Sequence, residues 1–163
     1  NFLDKAIDII RSIPFIILMV LLIPVSRAIV GTGSGVTGSY VALIAGTVPF
    51  FARQIESVLA DLDGGLIEAS EAMGFSPVEI IFGVYLKESI PGITRVTMIT
   101  FVSLIGITAM AGAIGAGGLG DFAIRYGYQM GYRDMIWATV IIILLIISAI
   151  QFIGNLIIRK TTH

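Results

Sequence analysis

Residues 64–92 read GGLIEASEAMGFSPVEIIFGVYLKESIPG, and their reading decides how the rest of the chain folds. This is the longest polar-interrupted, helix-forming segment in a chain otherwise dominated by apolar runs. The spacing predicts two short helices. The first runs roughly over 66–73 and stops at Gly74, because glycine takes the left-handed C′ conformation without a Cβ clash. The second has a strong start: Ser76 caps, Pro77 suits the first helical position, and Glu79 stands where a capping box needs it. Its apolar residues Val78, Ile81, Phe82, Tyr85 and Leu86 fall on one helical face. Ser89-Ile90-Pro91-Gly92 is expected to end it, since the residue before proline avoids αR.

Working outward, the other segments read as a membrane body that holds this piece at one face. The chain has 163 residues, 56% hydrophobic and 13% charged, with a mean hydropathy of +0.99. Soluble domains carry about 25% charged residues, so a bilayer is the simplest solvent. The size suits one domain, 1–163. A net charge of −1 gives no reason to expect nucleic acid as a partner, and the lack of cysteine excludes thiolate metal sites and disulfides within this sequence.

Four apolar runs are long enough, or nearly so, to cross a hydrocarbon core of about 30 Å at about 1.5 Å per residue. They are expected at about 12–30, 39–55, 92–114 and 135–158, with a polar loop at 56–91. The first carries Pro14 at its start, Pro24 inside as an expected kink, and Arg27 near its far end. An arginine costs about 2.5–3.5 kcal/mol at the bilayer centre and far less where it snorkels to the interface. The second span is short, with Gly46 and Pro49 inside and Arg53-Gln54 at its exit. The third is rich in small and hydroxyl residues, including Thr94, Thr97, Thr100, Ser103 and Thr108. Such a helix packs closely against neighbours or lines a wet pathway. In the fourth, Gln151 and Asn155 lie one turn apart and are expected to hydrogen-bond to a neighbouring helix. Residues 1–11 alternate apolar and charged side chains, as a short amphipathic helix at a membrane surface or the cytoplasmic end of a connection would.

Two connections are glycine-rich. Residues 31–38 and 113–134 read as loops, and each contains G-x-G-x-x-G (Gly33, Gly35, Gly38; Gly115, Gly117, Gly120). Neither follows a strand of a βαβ unit, so neither is a dinucleotide fingerprint. No lysine follows a glycine, so there is no P-loop lysine either. Tyr126, Tyr128 and Tyr132 suit an interfacial belt or a partner contact.

Four spans put both ends and the central loop on one side. Seven of the ten basic residues (Lys5, Arg11, Arg53, Lys87, Arg95, Arg159 and Lys160) fall there, and Arg27, Arg125 and Arg133 fall opposite. By the positive-inside rule the central loop and the C-terminus are cytoplasmic.

With that topology, Glu68-Ala69-Ser70, three residues and then Gly74 resemble the EAA-x3-G loop of ABC importer permeases. The third position is serine where the family has alanine, and Lys87 stands where a proline often follows, with Pro91 four residues later. Three further stretches, residues 11–18 (RSIPFIIL), 65–74 (GLIEASEAMG) and 115–120 (GAGGLG), are similar to methionine ABC importer permeases of the MetI type. The resemblance spans essentially the whole chain. It implies an all-α polytopic bundle of about five spans, four of them in this fragment, which would begin in the connection after the first. It also implies a homodimer in the bacterial inner membrane, two ATPase subunits beneath it and a periplasmic or lipid-anchored substrate-binding protein above. The implied cargo is methionine, D- and L-. No cofactor is expected in this chain, with ATP and Mg²⁺ on the partner ATPase.

By the same resemblance, Glu68, Ala69, Ser70, Gly74, Ser76, Pro77 and Glu79 would form the ATPase-coupling helices. They would pass motion to the spans through Pro91-Gly92. Ser103, Thr108 and Met110 are candidates for the substrate pathway or its gate. The alternatives are an ABC permease for another amino acid or a quaternary amine, and, in other classes, a secondary transporter or channel subunit, or a purely structural membrane subunit, against which the capped amphipathic helix argues. Ion-coupled transporters usually hold acidic residues inside their spans, whereas all eleven acids here lie outside the four runs. An enzyme is disfavoured, because the spans hold no clustered acid–base or metal-ligand set and the sole histidine is His163.

Overall fold

A computed structural model describes residues 5, 7–9 and 12–161. Most of the expected surface helix at 1–11, and His163, lie outside the described residues. All regular structure among the described residues is helical.

The first apolar run folds as two short helices, α1 (Phe15–Leu21) and α2 (Ile23–Val30). The expected kink at Pro24 is a break at Leu22, with Pro24 in the first turn of α2. Proline has no N–H to return to Val20, so the α1 ladder cannot run on through it. Gly31, with φ +80, closes α2. Helix α3 (Gly35–Ala60) begins inside the stretch expected as a loop and continues through Pro49 past the expected end at residue 55. Then come α4 (Gly64–Ala72) and α5 (Pro77–Ile80).

Helix α5 does not end at Pro91. It runs through a π-helical turn (Ile81–Tyr85) into α6 (Leu86–Ala111) as one continuous body, which the chain leaves at a kink where Ile114 (φ −108) and Gly115 (φ +95) are no longer helical. The expected break at Ser89–Gly92 is therefore corrected. Proline frees the Lys87 carbonyl, but tertiary packing overrides the local preference. Next to it Gly92 sits so close to α3 that a Cβ there would lie 2.6 Å from Val58 Cγ1.

The second glycine-rich connection is also helical rather than a loop. Helix α7 (Gly118–Phe122) and a π-helical segment (Ala123–Gln129) fold back on the end of α6. A Cβ on Gly120 would lie 2.0 Å from the Ala109 carbonyl oxygen, so only glycine permits this approach. Tyr126 packs on Phe122 at 5.1 Å between ring centroids, and Tyr126, Tyr128 and Tyr132 are all exposed. The last helix is α8 (Arg133–Thr161).

Helix α6 is the axis of the bundle and packs on both α3 and α8. The core is small: Met19, Ala42, Ala111 and Ala116, flanked by Phe15 and Leu22. Only 6% of the apolar window of α8 is buried, and Trp137, Leu145 and Phe152 stand on the surface. No aqueous fold leaves that much apolar area in water, whereas a bilayer accepts it once the backbone is satisfied within helices. Three helices, Gly35–Ala60, Pro77–Ala116 and Arg133–Thr161, are long and apolar enough to cross. From Pro77 to the kink at Ile114 the body is about 55 Å long, well beyond the hydrocarbon thickness of about 30 Å, so its N-terminal part, which carries the exposed Glu79, Lys87 and Glu88, projects beyond the membrane.

Most hydroxyls of α6 answer to their own helix. Thr94, Thr97, Thr100 and Thr108 donate to the carbonyls of Ile90, Ile93, Val96 and Leu104. They are thus satisfied without water or a neighbour, which favours packing over a wet lining at those positions.

Candidate coupling surface

The projecting end is built from two helices joined by a minimal turn. Asp63 caps α4, its Oδ1 accepting from the Gly65 N–H at 2.9 Å. That cap starts the helix two residues before the sequence expectation. At the other end the Gly74 N–H donates to the Glu71 carbonyl at 2.9 Å, and the Phe75 N–H to the Ser70 carbonyl at 3.2 Å. With Met73 as C-cap and Gly74 at φ +81, this pair of bonds is a Schellman motif.

Ser76 follows at once as the N-cap of α5. Its N–H and Oγ–H both donate to Glu79 Oε2, at 2.8 and 2.7 Å, and its Oγ accepts from the Glu79 N–H at 3.4 Å. The capping box read from the sequence is complete, with Pro77 in the first turn. The Ser76 backbone N–H, and then its hydroxyl, hold the Glu79 carboxyl below its ordinary value; slight desolvation opposes them. Closing one helix and opening the next therefore takes only Gly74, Phe75 and Ser76. That fixes the angle between α4 and α5 through local bonds.

The residues expected to couple to an ATPase divide by exposure. Glu68, Ala69, Gly74, Ser76, Pro77 and Glu79 face outward, whereas Ser70 is buried. Its Oγ donates to the Leu66 carbonyl at 2.7 Å, so a serine fits the alanine position by satisfying itself on the preceding turn. The apolar face expected on the second helix also points outward: Val78, Ile81, Phe82 and Leu86 are exposed, and Ile80 is the residue that anchors the segment inward. Leu66, Met73 and Phe75 extend this exposed apolar surface across the turn. Sequence reasoning missed Asp63, Met73 and Phe75. An Asp before Gly-Gly, and an aromatic residue directly after the C′ glycine, were the available signals.

The three pathway candidates do not converge. Ser103 lines a cavity of about 380 Å³ between α6 and α8. Thr108 lines another of about 250 Å³ against residues 117–120. Met110 is exposed and lines neither. Arg53, the expected exit marker of the second span, pairs with Glu56 at 2.7 Å and Asp8 at 3.7 Å.

A bundle of lipid-length helices with a capped, apolar, outward-facing helical turn at one end defines a membrane component that meets a partner outside the bilayer. All 163 residues match the family described as "Binding-protein-dependent transport system inner membrane component", and the chain belongs to that family. A relative from Vibrio cholerae O1, named "Probable D-methionine transport system permease protein MetI", is 44% identical over 161 residues, 99% of this chain and 72% of the relative. The methionine import system permease protein MetP of Bacillus subtilis strain 168 is 44% identical over 151 residues, 93% of this chain and 68% of MetP. A solved structure described as "Inward facing conformations of the MetNI methionine ABC transporter" superposes with a TM-score of 0.90 at 43% identity, over 98% of this chain and 74% of that one.

Proposed function

We propose that this chain is the permease subunit of an ABC importer that carries methionine, in its D- and L- forms, across the bacterial inner membrane. The permease pairs with a second copy, and a substrate-binding protein delivers cargo from outside. ATP and Mg²⁺ act on a separate ATPase subunit, where hydrolysis resides. Support for the cargo comes from the names of the relatives at 44% identity. The observation that carries the coupling role is the projecting turn, locked by the Schellman motif and the capping box and presenting exposed Met73, Phe75, Val78 and Phe82. Apolar side chains left outside both the core and the membrane segment are free to fill a groove on a partner.

In this reading the turn and the C-terminus lie in the cytoplasm, as the distribution of basic residues indicates. ATP binding draws the two ATPase subunits together and carries α4 and α5 with them. Because α5 and α6 form one helix, motion enters the membrane directly along that body. No relay at Pro91-Gly92 is needed. The π turn at Ile81–Tyr85, with Gly83 inside it, is where this lever can yield; π turns are frequent at functional positions in helices. Glu68 offers a carboxylate at the partner surface.

The test is co-purification of the full-length protein from membranes, as the parent and as the double variant Glu68→Arg, Gly74→Leu. An ATPase subunit should accompany the parent and be lost from the variant, and parent vesicles should take up methionine when energised. If no ATPase accompanies the parent in mild detergent, the docking role is refuted.

A further inference from the structure

Helices α6 and α8 cross so tightly that a Cβ on Gly154 would lie 1.7 Å from Met98 Sδ. The crossing separates two unlike surfaces. On one side is an apolar groove of about 400 Å³ lined by residues such as Phe101, Ile150, Ile153 and Ile157. On the other is the cavity of about 380 Å³ that holds Arg95, Ser103, Gln151 and Asn155 around a belt of Met98 and Val102.

Gln151 and Asn155 were expected to bond to a neighbouring helix. Among the described residues neither amide has a hydrogen-bond partner, and Arg95 has no carboxylate within ion-pair reach. All three are exposed. The polar stripe continues one turn along α8 to Arg159, which with Asn155 lines a further cavity of about 480 Å³. Amides and a guanidinium inside apolar helices are expensive against lipid, so they face water, cargo or a partner. The apolar groove on the other side of the crossing is the surface suited to lipid.

We propose that the cavity holding Arg95, Ser103, Gln151 and Asn155 is an aqueous wall of the transport path and a contact site for a neutral α-amino acid. This rests on the importer reading above. The chemistry of the lining matches such a molecule in three parts. The unpaired Arg95 guanidinium receives the carboxylate through charge-assisted hydrogen bonds. The amide oxygens of Gln151 and Asn155 accept from the ammonium group. Met98 and Val102 cover the apolar side chain, and the thioether of Met98 adapts to its shape. The Asn155–Arg159 stripe then leads the cargo toward the basic end of α8.

The sequence has no cysteine, which suits a labelling test in the full-length transporter assembled with its ATPase, any other cysteine being replaced. Gln151→Cys and Asn155→Cys are compared with Ile150→Cys and Ile153→Cys on the apolar groove. A charged, water-soluble methanethiosulfonate reagent should modify the first pair and spare the second, and L-methionine should slow modification of the first pair. Arg95→Gln should weaken that protection about tenfold, the loss expected for one charge-assisted bond, and Arg95→Lys should keep part of it. The proposal is overturned if positions 151 and 155 are as unreactive as 150 and 153, which would mean lipid covers the face. It is equally overturned if the 151 or 155 variant forms disulfides between two copies of the permease, or if modification proceeds unslowed by methionine. ATP-driven methionine uptake by the parent preparation reports on the importer reading separately. Intact uptake without protection removes the site alone, whereas absent uptake removes the importer reading and with it this choice of cargo.

Discussion

Substitutions at Gly74 can separate its use in closing a helix from the proposed approach of a partner surface. Gly74 closes α4 with φ +81, where an L-residue other than glycine or asparagine pays about 1–2 kcal/mol. That penalty lowers the occupancy of the locked turn relative to its frayed form by roughly 5- to 30-fold. No heavy atom lies within 4 Å of the position a Cβ would take, so within this chain a side chain meets strain but no obstruction. Alanine adds strain with little bulk. Asparagine adds bulk with little strain, because it tolerates the left-handed region. Leucine adds both. If the glycine serves the turn alone, Gly74→Asn behaves as the parent and Gly74→Ala is impaired. If a partner surface also approaches here, Gly74→Asn and Gly74→Leu both lose uptake while ATP hydrolysis continues. The second pattern is expected, because Gly74 is flanked by exposed Met73 and Phe75. The assay is methionine taken up per ATP hydrolysed, in proteoliposomes holding the assembled importer, with insertion checked by detergent-resistant co-purification. Normal uptake per ATP in a correctly inserted Gly74→Leu protein would refute the role altogether.

Removing the cap of α5 with Ser76→Ala should cost about 1 kcal/mol of local helix stability. Faster amide exchange across Val78–Ile80 than across α8 would report it. The Glu79 carboxyl is held below its ordinary value of 4.5 in the folded turn, so its contribution is complete above that value and is lost as pH falls through the lower, folded-state pKa. Proteolytic nicking of residues 73–77 should therefore rise below about pH 4.5 in the parent, and Glu79→Gln should flatten that dependence. Gly120→Ala should fail to accumulate as an assembled complex, since its Cβ would meet the Ala109 backbone rather than a movable side chain; parent-like assembly would contradict the close approach. Met110→Ala and Met110→Trp test the gate assignment through transport rate. The tryptophan variant should be the slower of the two, and equal, parent-like rates in both would dismiss it.

Much of the projecting helical turn was legible in the sequence because its determinants are local. Ser76, Pro77 and Glu79 make a capping box within four residues, and Gly74 ends a helix through its own φ, so reading the string is enough. The membrane character was equally legible, since spans follow from runs of apolar residues. What the sequence misjudged were features set by neighbours distant in the chain. Pro91 reads as a terminator, yet the helix continues, with Gly92 packed against Val58 of α3. The stretch 113–134 reads as loop because it is rich in glycine, yet those glycines allow backbone to lie on backbone at Gly120 and Ala109. Gln151 and Asn155 read as partners for a helix, and only the crossing at Met98 and Gly154 turns them toward a cavity with Arg95. Local chemistry determines where helices begin, end and meet lipid. Which faces are wet is decided by how the helices cross, because burial is a property of pairs of elements rather than of any one segment.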